Sequence, residues 1–366
     1  MKIGILTFHC PHNYGAVLQA YALQQYLLKL GYEVEIIDYR PKYLINATKL
    51  KINWRVFVSI KPIKCLRKLY NGIFHYIPSC YKRYIGFNKF INKKLVLSAR
   101  VSNDKIPDNY DAYIIGSDQV WNSKITCGFD RVYFAQFPFE KKQKKYISYA
   151  ASIGSDKLTK NEKNCYTYLL SNFDYIGVRE YKLVELLQPL CLKKIEHVLD
   201  PTLLVETDIW DKIALSHNYK KNYVLVYTGL AKTDSIINIA QKIAKPQGFE
   251  IMVLTGQISE YTINGYRAAS PEEFVNAFKN ASFVITSTFH GTAFSIIFNK
   301  NFYTLKLNKE DDSRAMSLLS MLGLEDRMID SSADVLQNNI IDWNSVNDIL
   351  KINKEKSKAF LKNALA

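Results

Sequence analysis

The chain has 366 residues, 48% of them hydrophobic and 23% charged, and carries a formal net charge of +15. That length suits two domains of ordinary size, and the composition is that of a globular chain rather than a disordered or fibrous one. The sequence contains no apolar run near the ~18 residues a membrane span needs, and its six scattered cysteines form neither a CxxC pair nor a ligand pattern with histidines.

A reduced cytoplasmic protein without a structural metal is the expectation. Met1 to Phe8 is strand-length, too short and too soon interrupted for a signal peptide. The charge is local. Between Asp38 and Asp104 there is no Asp or Glu but there are 15 Lys or Arg, which leaves 34 basic against 34 acidic residues elsewhere.

Lys2 to Phe8 reads as a first buried strand, the run from Ala16 to Leu30 as a helix stopped by Gly31, and Glu33 to Asp38 as a second strand. Strand, helix and strand at this spacing form a βαβ unit with a parallel sheet and a right-handed crossover. The loop after the first strand then lies at the carboxyl edge, where such sheets bind ligands, and its lack of GxGxxG argues against a dinucleotide site.

The basic segment 40–103 mixes Lys and Arg with aromatics such as Trp54, Phe57, Tyr70, Phe74, Tyr81 and Phe87, and predicts helices near 53–71 and 80–94. Three readings stay open for it: a solvated helical face, a surface for anionic lipid headgroups or a lipid-diphosphate-linked substrate, and a nucleic-acid surface. No recognisable nucleic-acid module is present, so a nucleic-acid partner is not expected.

Further along, Tyr113 to Ile115 enters the turn Gly116-Ser117-Asp118-Gln119-Val120-Trp121-Asn122, and Lys145 to Gly154 is a strand ending in small residues. Tyr175 to Val178 delivers Arg179 and Glu180 before a helix over Tyr181 to Leu187. His197 to Leu199 leads to Asp200-Pro201, where the chain leaves the first domain. Tyr223 to Tyr227 and Phe249 to Leu254 are strands of the second domain, and Ser270-Pro271 caps a helix. The stretch Phe283 to Phe294 follows, an apolar strand ending in Thr286, Ser287 and Thr288, then His290, Gly291 and a helix start. Helix starts expose unpaired N–H groups and the positive end of the dipole, so this turn suits an anion; a histidine satisfied by local bonds is the plainer reading. Asn301 to Leu305 is a strand, a helix runs to Leu322, and 343–364 is helical and basic.

The blocks Asn13 to Leu23, Gly116 to Asn122, Ser148 to Gly154, Val178-Arg179-Glu180, Asp200-Pro201 and Phe289-His290-Gly291, in this order, resemble the polysaccharide pyruvyl transferase family. The resemblance implies an α/β fold of two Rossmann-like domains with mostly parallel sheets facing a cleft, GT-B-like, with the basic helical segment inserted in the first. The expected division is 1–203 on the acceptor side, 204–342 on the donor side, and a C-terminal helix in 343–366 packing back on the first domain. The implied activity moves pyruvate from phosphoenolpyruvate, a co-substrate rather than a cofactor, to a sugar hydroxyl pair of a cell-surface polysaccharide as a ketal; the alternatives are a GT-B-type glycosyltransferase using a nucleotide-sugar donor and a non-catalytic saccharide-binding relative. The acceptor is a saccharide on a polymer or on a polyprenyl-diphosphate carrier, which would suit a protein at the inner face of the membrane.

His290 matches the family histidine and Arg179 a family arginine, while Arg314 lies in a segment often written Ser-Arg. Many relatives carry an arginine two residues before the histidine; this chain has Thr288, so one cationic contact is missing or supplied elsewhere. Ser287, Gly291 and Thr292 complete the expected donor-binding set. The reaction needs an acid for the methylene carbon and a base for the sugar hydroxyl, roles that suit His290 and Asp118. Asn13, Tyr14, Gln19, Gln119 and Trp121 are the expected acceptor contacts. Competing structural roles are a turn for Asp118, an interdomain ion pair for Arg179, a first-turn acid for Glu180, packing for Trp121, and loop positions for His9 and His12.

Overall fold

The computed structural model describes residues 1–50, 69–70, 72–102, 105–214, 222–229, 234–255, 266–307, 311–330 and 340–366. The first sheet comprises β1 (Lys2–Leu6), β2 (Glu33–Tyr39), β3 (Leu97–Val101), β4 (Ala112–Ile115), β5 (Lys145–Ala151), β6 (Tyr175–Val178) and β7 (Ile195–His197). Its order is β3-β2-β1-β4-β5-β6-β7, with every pair parallel. The second sheet comprises β8 (Tyr223–Thr228), β9 (Glu250–Thr255), β10 (Tyr266–Arg267), β11 (Phe283–Thr286), β12 (Phe302–Leu305) and β13 (Met328–Ile329), in the order β10-β9-β8-β11-β12-β13, again all parallel.

Strands such as β4 (AYII) and β8 (YVLVYT) are buried at every residue. Helices on both faces of a parallel sheet favour such unbroken apolar runs over alternation. Each sheet reverses its winding once, at β1/β4 and at β8/β11. Loops leaving the carboxyl ends of strands at such a switch point diverge and open a crevice. The two crevices are lined by the segments after Leu6 and Ile115 and after Thr228 and Thr286. The residues expected to do chemistry cluster there.

The helices, in chain order, are α1 (Tyr14–Lys29), α2 (Lys42–Thr48), α3 (Ile77–Lys94), α4 (Lys160–Leu170), α5 (Tyr181–Leu187), α6 (Pro201–Leu204), α7 (Thr207–Asp211), α8 (Asp234–Gln247), α9 (Pro271–Asn280), α10 (Phe289–Ile297), α11 (Asp311–Leu322) and α12 (Trp343–Leu365). The expected helix near 80–94 is the later part of α3, while the one near 53–71 lies almost wholly outside the described residues. The edge strand β3 has no counterpart among the sequence-based expectations, because its residues are at best half-buried and lack an apolar run. No helix among the described residues is long and apolar enough to cross a membrane.

One hydrophobic core joins the halves. Tyr14 at the start of α1 stacks on Phe274 of α9 (centroids 4.4 Å apart), meets Tyr227 edge-on at 5.9 Å, and donates from its hydroxyl to the Ala269 carbonyl at 2.8 Å. Trp210 packs on Phe294 of α10 from the other side. The helix α12 returns to the first sheet: Phe360 lies against Gly177 and Tyr149, and the Leu199 N–H donates to Ser357 Oγ at 2.9 Å.

Candidate active site

The carboxyl edge of the first sheet carries a buried charge cluster centred on Asp200. Asp200 caps α6, its Oδ1 accepting from the Thr202 N–H (3.0 Å) and hydroxyl (2.8 Å). Its Oδ2 accepts from Ser117 Oγ at 3.0 Å and from Arg179 Nη1 at 3.1 Å. Arg179, delivered by the end of β6, donates from Nε to Glu180 Oε1 at 2.9 Å, lies 4.0 Å from Asp118 Oδ1, and stacks 4.5 Å over the Phe289 ring of the other domain.

All of these except Asp118 and Phe289 are buried polar or charged groups, and Asp200 is 1% exposed. Burial alone would weaken the Arg179 charge, but Glu180, Asp200 and Asp118 outweigh it and hold the guanidinium more firmly protonated than usual. Burial alone would likewise push the Asp200 carboxyl up; His290, Arg179 and the Thr202 hydrogen bonds prevail and hold it below the usual carboxylate range. Among the described residues, Arg179 Nη2 and Glu180 Oε2 are buried without a hydrogen-bond partner.

Among the described residues, the ends of β8 and β11 in the second sheet carry hydroxyls rather than charges. β11 ends at Thr286, Ser287 Oγ shares a hydrogen bond with Thr228 Oγ1 at 2.8 Å, and Thr288 takes the extended conformation that starts α10. Thr288 Oγ1 accepts from the Gly291 N–H at 3.0 Å, an N-cap bond. Gly291 is required by this turn, since a Cβ there would sit 1.9 Å from Thr286 Oγ1. The position where many relatives carry arginine is thus used to cap the helix.

His290 occupies the first turn of α10, 8% exposed, with Nε2 3.9 Å from Asp200 Oδ2 and without a hydrogen bond. Gly15 of the first domain faces the ring so closely that a Cβ would lie 2.1 Å from Nδ1. Burial, opposed by Asp200 and Asp118 and reinforced by Arg179 and Arg314, lowers the His290 pKa below its ordinary value. The ring is therefore neutral near pH 7 in this closed state, a stored capacity to take up a proton when an anion arrives. Arg314 of α11 lines the same seam with Arg179, His197, Asp200 and Phe289. The amide oxygen of Gln119, turned toward Arg314, accepts from Nη1 at 3.0 Å and Nη2 at 3.3 Å. The space among Arg179, Asp200, Phe289 and Arg314 is about 10 Å³, room for roughly one water.

The structure brings His290, Asp118, Arg179, Arg314 and Gln119 to one seam, with Ser287 and Gly291 on its second-sheet side. Asp118 has φ 71 and accepts the Gln119 N–H on its own Oδ1 at 2.9 Å, the geometry of a turn-forming residue, while its carboxylate also faces Arg179. Asn13 is exposed and caps α1, accepting from the Gly15 N–H at 2.9 Å.

Four expected contacts are corrected. Tyr14 is 0% exposed, held by Phe274 and Ala269. Gln19 is buried beneath the first strand's loop and donates to Thr7 Oγ1 at 2.8 Å and the Ala16 carbonyl at 2.9 Å. Trp121 is fully buried, stacked on Phe134 with Nε1 donating to the Tyr133 carbonyl, so its faces meet protein and cannot form a saccharide platform. Thr292 spends its hydroxyl on the Thr288 carbonyl and Thr304 within the core, out of reach of a donor.

His9 and His12 are structural. The His9 ring is buried 2.8 Å from Asp38 Oδ1, and His12 stacks on Phe87, where burial and Arg83 lower its pKa to about 4. The residues the sequence reading missed as site members are Asp200, Ser117 and Phe289. The Asp-Pro pair at 200–201 was their available signal, readable as a helix cap but silent about Arg179 and His290. A cavity of about 990 Å³ lies elsewhere, lined among others by Tyr39, Asp130, Phe137, Lys141 and Asn172, and shares no residue with the seam. Its Lys141 is already paired with Asp174.

Two parallel sheets meet at their carboxyl edges around a histidine, two arginines and a helix start, an α/β arrangement with a candidate site at the seam. The chain belongs to the polysaccharide pyruvyl transferase family, whose model matches residues 13–308. Among solved structures, it is similar to S. aureus MnaA in complex with UDP (TM-score 0.46, 11% identity, covering 97% of this chain and 89% of that one). It is also similar to UDP-GlcNAc 2-epimerase from Neisseria meningitidis (0.43, 11%, 97% and 99%) and to E. coli heptosyltransferase WaaC with ADP (0.40, 12%, 96% and 100%). A comparison with curated protein sequences found no match.

Proposed function

We propose that the enzyme transfers pyruvate from phosphoenolpyruvate to two hydroxyls of a saccharide, forming a cyclic ketal on a polysaccharide or its lipid-linked precursor. The observation that carries this reading is His290 at the start of α10, its Nε2 without a hydrogen bond and its charge coupled to Arg179 and Arg314. A donor with roughly three negative charges is suited by guanidinium groups and helix N–H groups together.

Opening of the seam would let the donor phosphate or carboxylate take the place beside His290 that Asp200 faces at 3.9 Å in the closed state. The arriving anion raises the ring's pKa, so binding takes up a proton at Nε2. That proton is available for the methylene carbon of the enol, which makes C2 electrophilic. A sugar hydroxyl adds to C2 and gives its proton to a carboxylate, the role assigned to Asp118. Phosphate then leaves C2 taking the proton held by Asp118, and the second hydroxyl closes the ketal as its proton returns to His290, so donor and diol become ketal and inorganic phosphate.

The test is saccharide-dependent release of inorganic phosphate from phosphoenolpyruvate, with a ketal detected in the product by mass. Release of a nucleoside diphosphate from a nucleotide sugar instead would overturn the reading. The His290→Asn variant is expected to lose about 10²–10⁴-fold in turnover while melting close to the parent temperature, because Nε2 makes no hydrogen bond to lose. Undiminished turnover removes His290 from the mechanism.

A further inference from the structure

The outer face of α3 and of the π-helical turn before it (Gly72–Tyr76) is apolar where solvent should make it polar. Tyr70 (56% exposed), Phe74 (60%), Tyr81 (55%) and Ile85 (45%) project outward, and Tyr70 and Phe74 pair with ring centroids 4.8 Å apart. The steps from 74 to 81, 85, 89 and 93 are those of one helix face. It therefore runs from aromatic and aliphatic side chains into exposed Lys89 and Lys93, with Lys94 beside them. Lys82, also on the outer side, is already paired with Glu273 at 2.7 Å.

From this face we infer a docking surface for a bilayer bearing anionic headgroups. The occupant is argued from charge. From residue 39 to residue 103 the sequence has 15 Lys or Arg and no Asp or Glu. A second copy of the chain would bring Lys89, Lys93 and Lys94 against like charges, whereas an anionic membrane complements these lysines and accepts the apolar side chains among its headgroups.

The opposite face of α3 supplies the consequence. Cys80, Arg83, Phe87, Phe90 and Ile91 are buried there; Arg83 donates to the His12 carbonyl and lies 5.0 Å over Tyr14, and Phe87 stacks on His12. That loop continues directly to Gly15, which touches His290. A bound membrane would then lie about one helix diameter, 10–12 Å, from the loop that contacts the site. This placement suits a saccharide carried on a lipid, an extension that rests on the reading proposed above, whereas the docking surface itself does not.

Co-sedimentation of the full-length protein with vesicles tests it, in the absence of donor and acceptor. The protein is expected to sediment with phosphatidylcholine vesicles containing phosphatidylglycerol, and much less with phosphatidylcholine alone. Combined substitution Tyr70→Ser, Phe74→Ser, Tyr81→Ser and Ile85→Ser should weaken that binding about tenfold or more. Lys89→Gln, Lys93→Gln and Lys94→Gln together should weaken it and flatten its salt dependence. An unchanged melting temperature verifies that both variants fold. Absence of binding, equal binding to neutral vesicles, unaltered binding by both variants, or a serine variant that instead turns a dimer into a monomer would each overturn the inference. Turnover on a water-soluble acceptor reports on the pyruvyl-transfer reading separately.

Discussion

The carboxyl edges of the two sheets meet at one seam but bring different chemistry to it. The first contributes Asp118, Arg179, Glu180 and Asp200, a cluster in which three carboxylates surround one guanidinium. The second contributes Thr228, Thr286, Ser287 and Thr288, a neutral histidine and the start of a helix. Buried ions hold their geometry rigidly, because breaking one pair strands the partner charge. Hydroxyls and helix N–H groups carry no such penalty and can exchange their mutual hydrogen bonds for bonds to an incoming anion. The first edge therefore behaves as a fixed frame and the second as the receptive surface.

Asp200→Asn probes the frame most severely. Removing the carboxylate that Arg179 and Ser117 share should cost about 3–5 kcal/mol of stability in denaturant titration and lower turnover as well. If it destabilises no more than His290→Asn, the distinction between the edges fails. Gly15→Ala places a methyl where the His290 ring now lies, at 2.1 Å. Steady-state kinetics should show a marked fall in turnover. Thr288→Ala removes the N-cap of α10 and should cost about 1 kcal/mol, measured by thermal melting; a much larger loss would give the second edge a structural burden like that of the first.

A further effect is a pH slope. His12 protonates in the unfolded chain near 6.5 but in the folded one only near 4, so acid favours the unfolded state. Its contribution is intact above pH 6.5 and is lost as pH falls toward 4, and melting curves of His12→Asn should show a flatter slope across that window.

Much of this architecture is legible in the sequence, because buried parallel strands such as Tyr223 to Thr228 and Val284 to Thr286 lie in largely apolar runs. The turn bearing His290 was legible for the same reason, as an apolar run halted by hydroxyls and a glycine. The sequence motifs were harder to apportion between chemistry and packing. Tyr14, Gln19 and Trp121 sit in segments that also contain seam residues, yet their side chains turn into the protein to hold the loops in place. Asp200 was misjudged in the other direction. Its partners lie 83 residues away at Ser117, 21 at Arg179 and 90 at His290, and no local spacing reports such contacts.

The return of α12 to the first sheet has a mechanical consequence. The chain passes from the first half to the second after Asp200, and comes back when Trp343 to Leu365 packs against β5 and the Leu199 amide. Two crossings define a line, as two hinges define the axis of a door. Motion that admits a ligand to the 10 Å³ seam is then steered toward swinging about that line, with sliding and twisting opposed by the second tether. Each closure would bring Gly15 back against His290 in the same register.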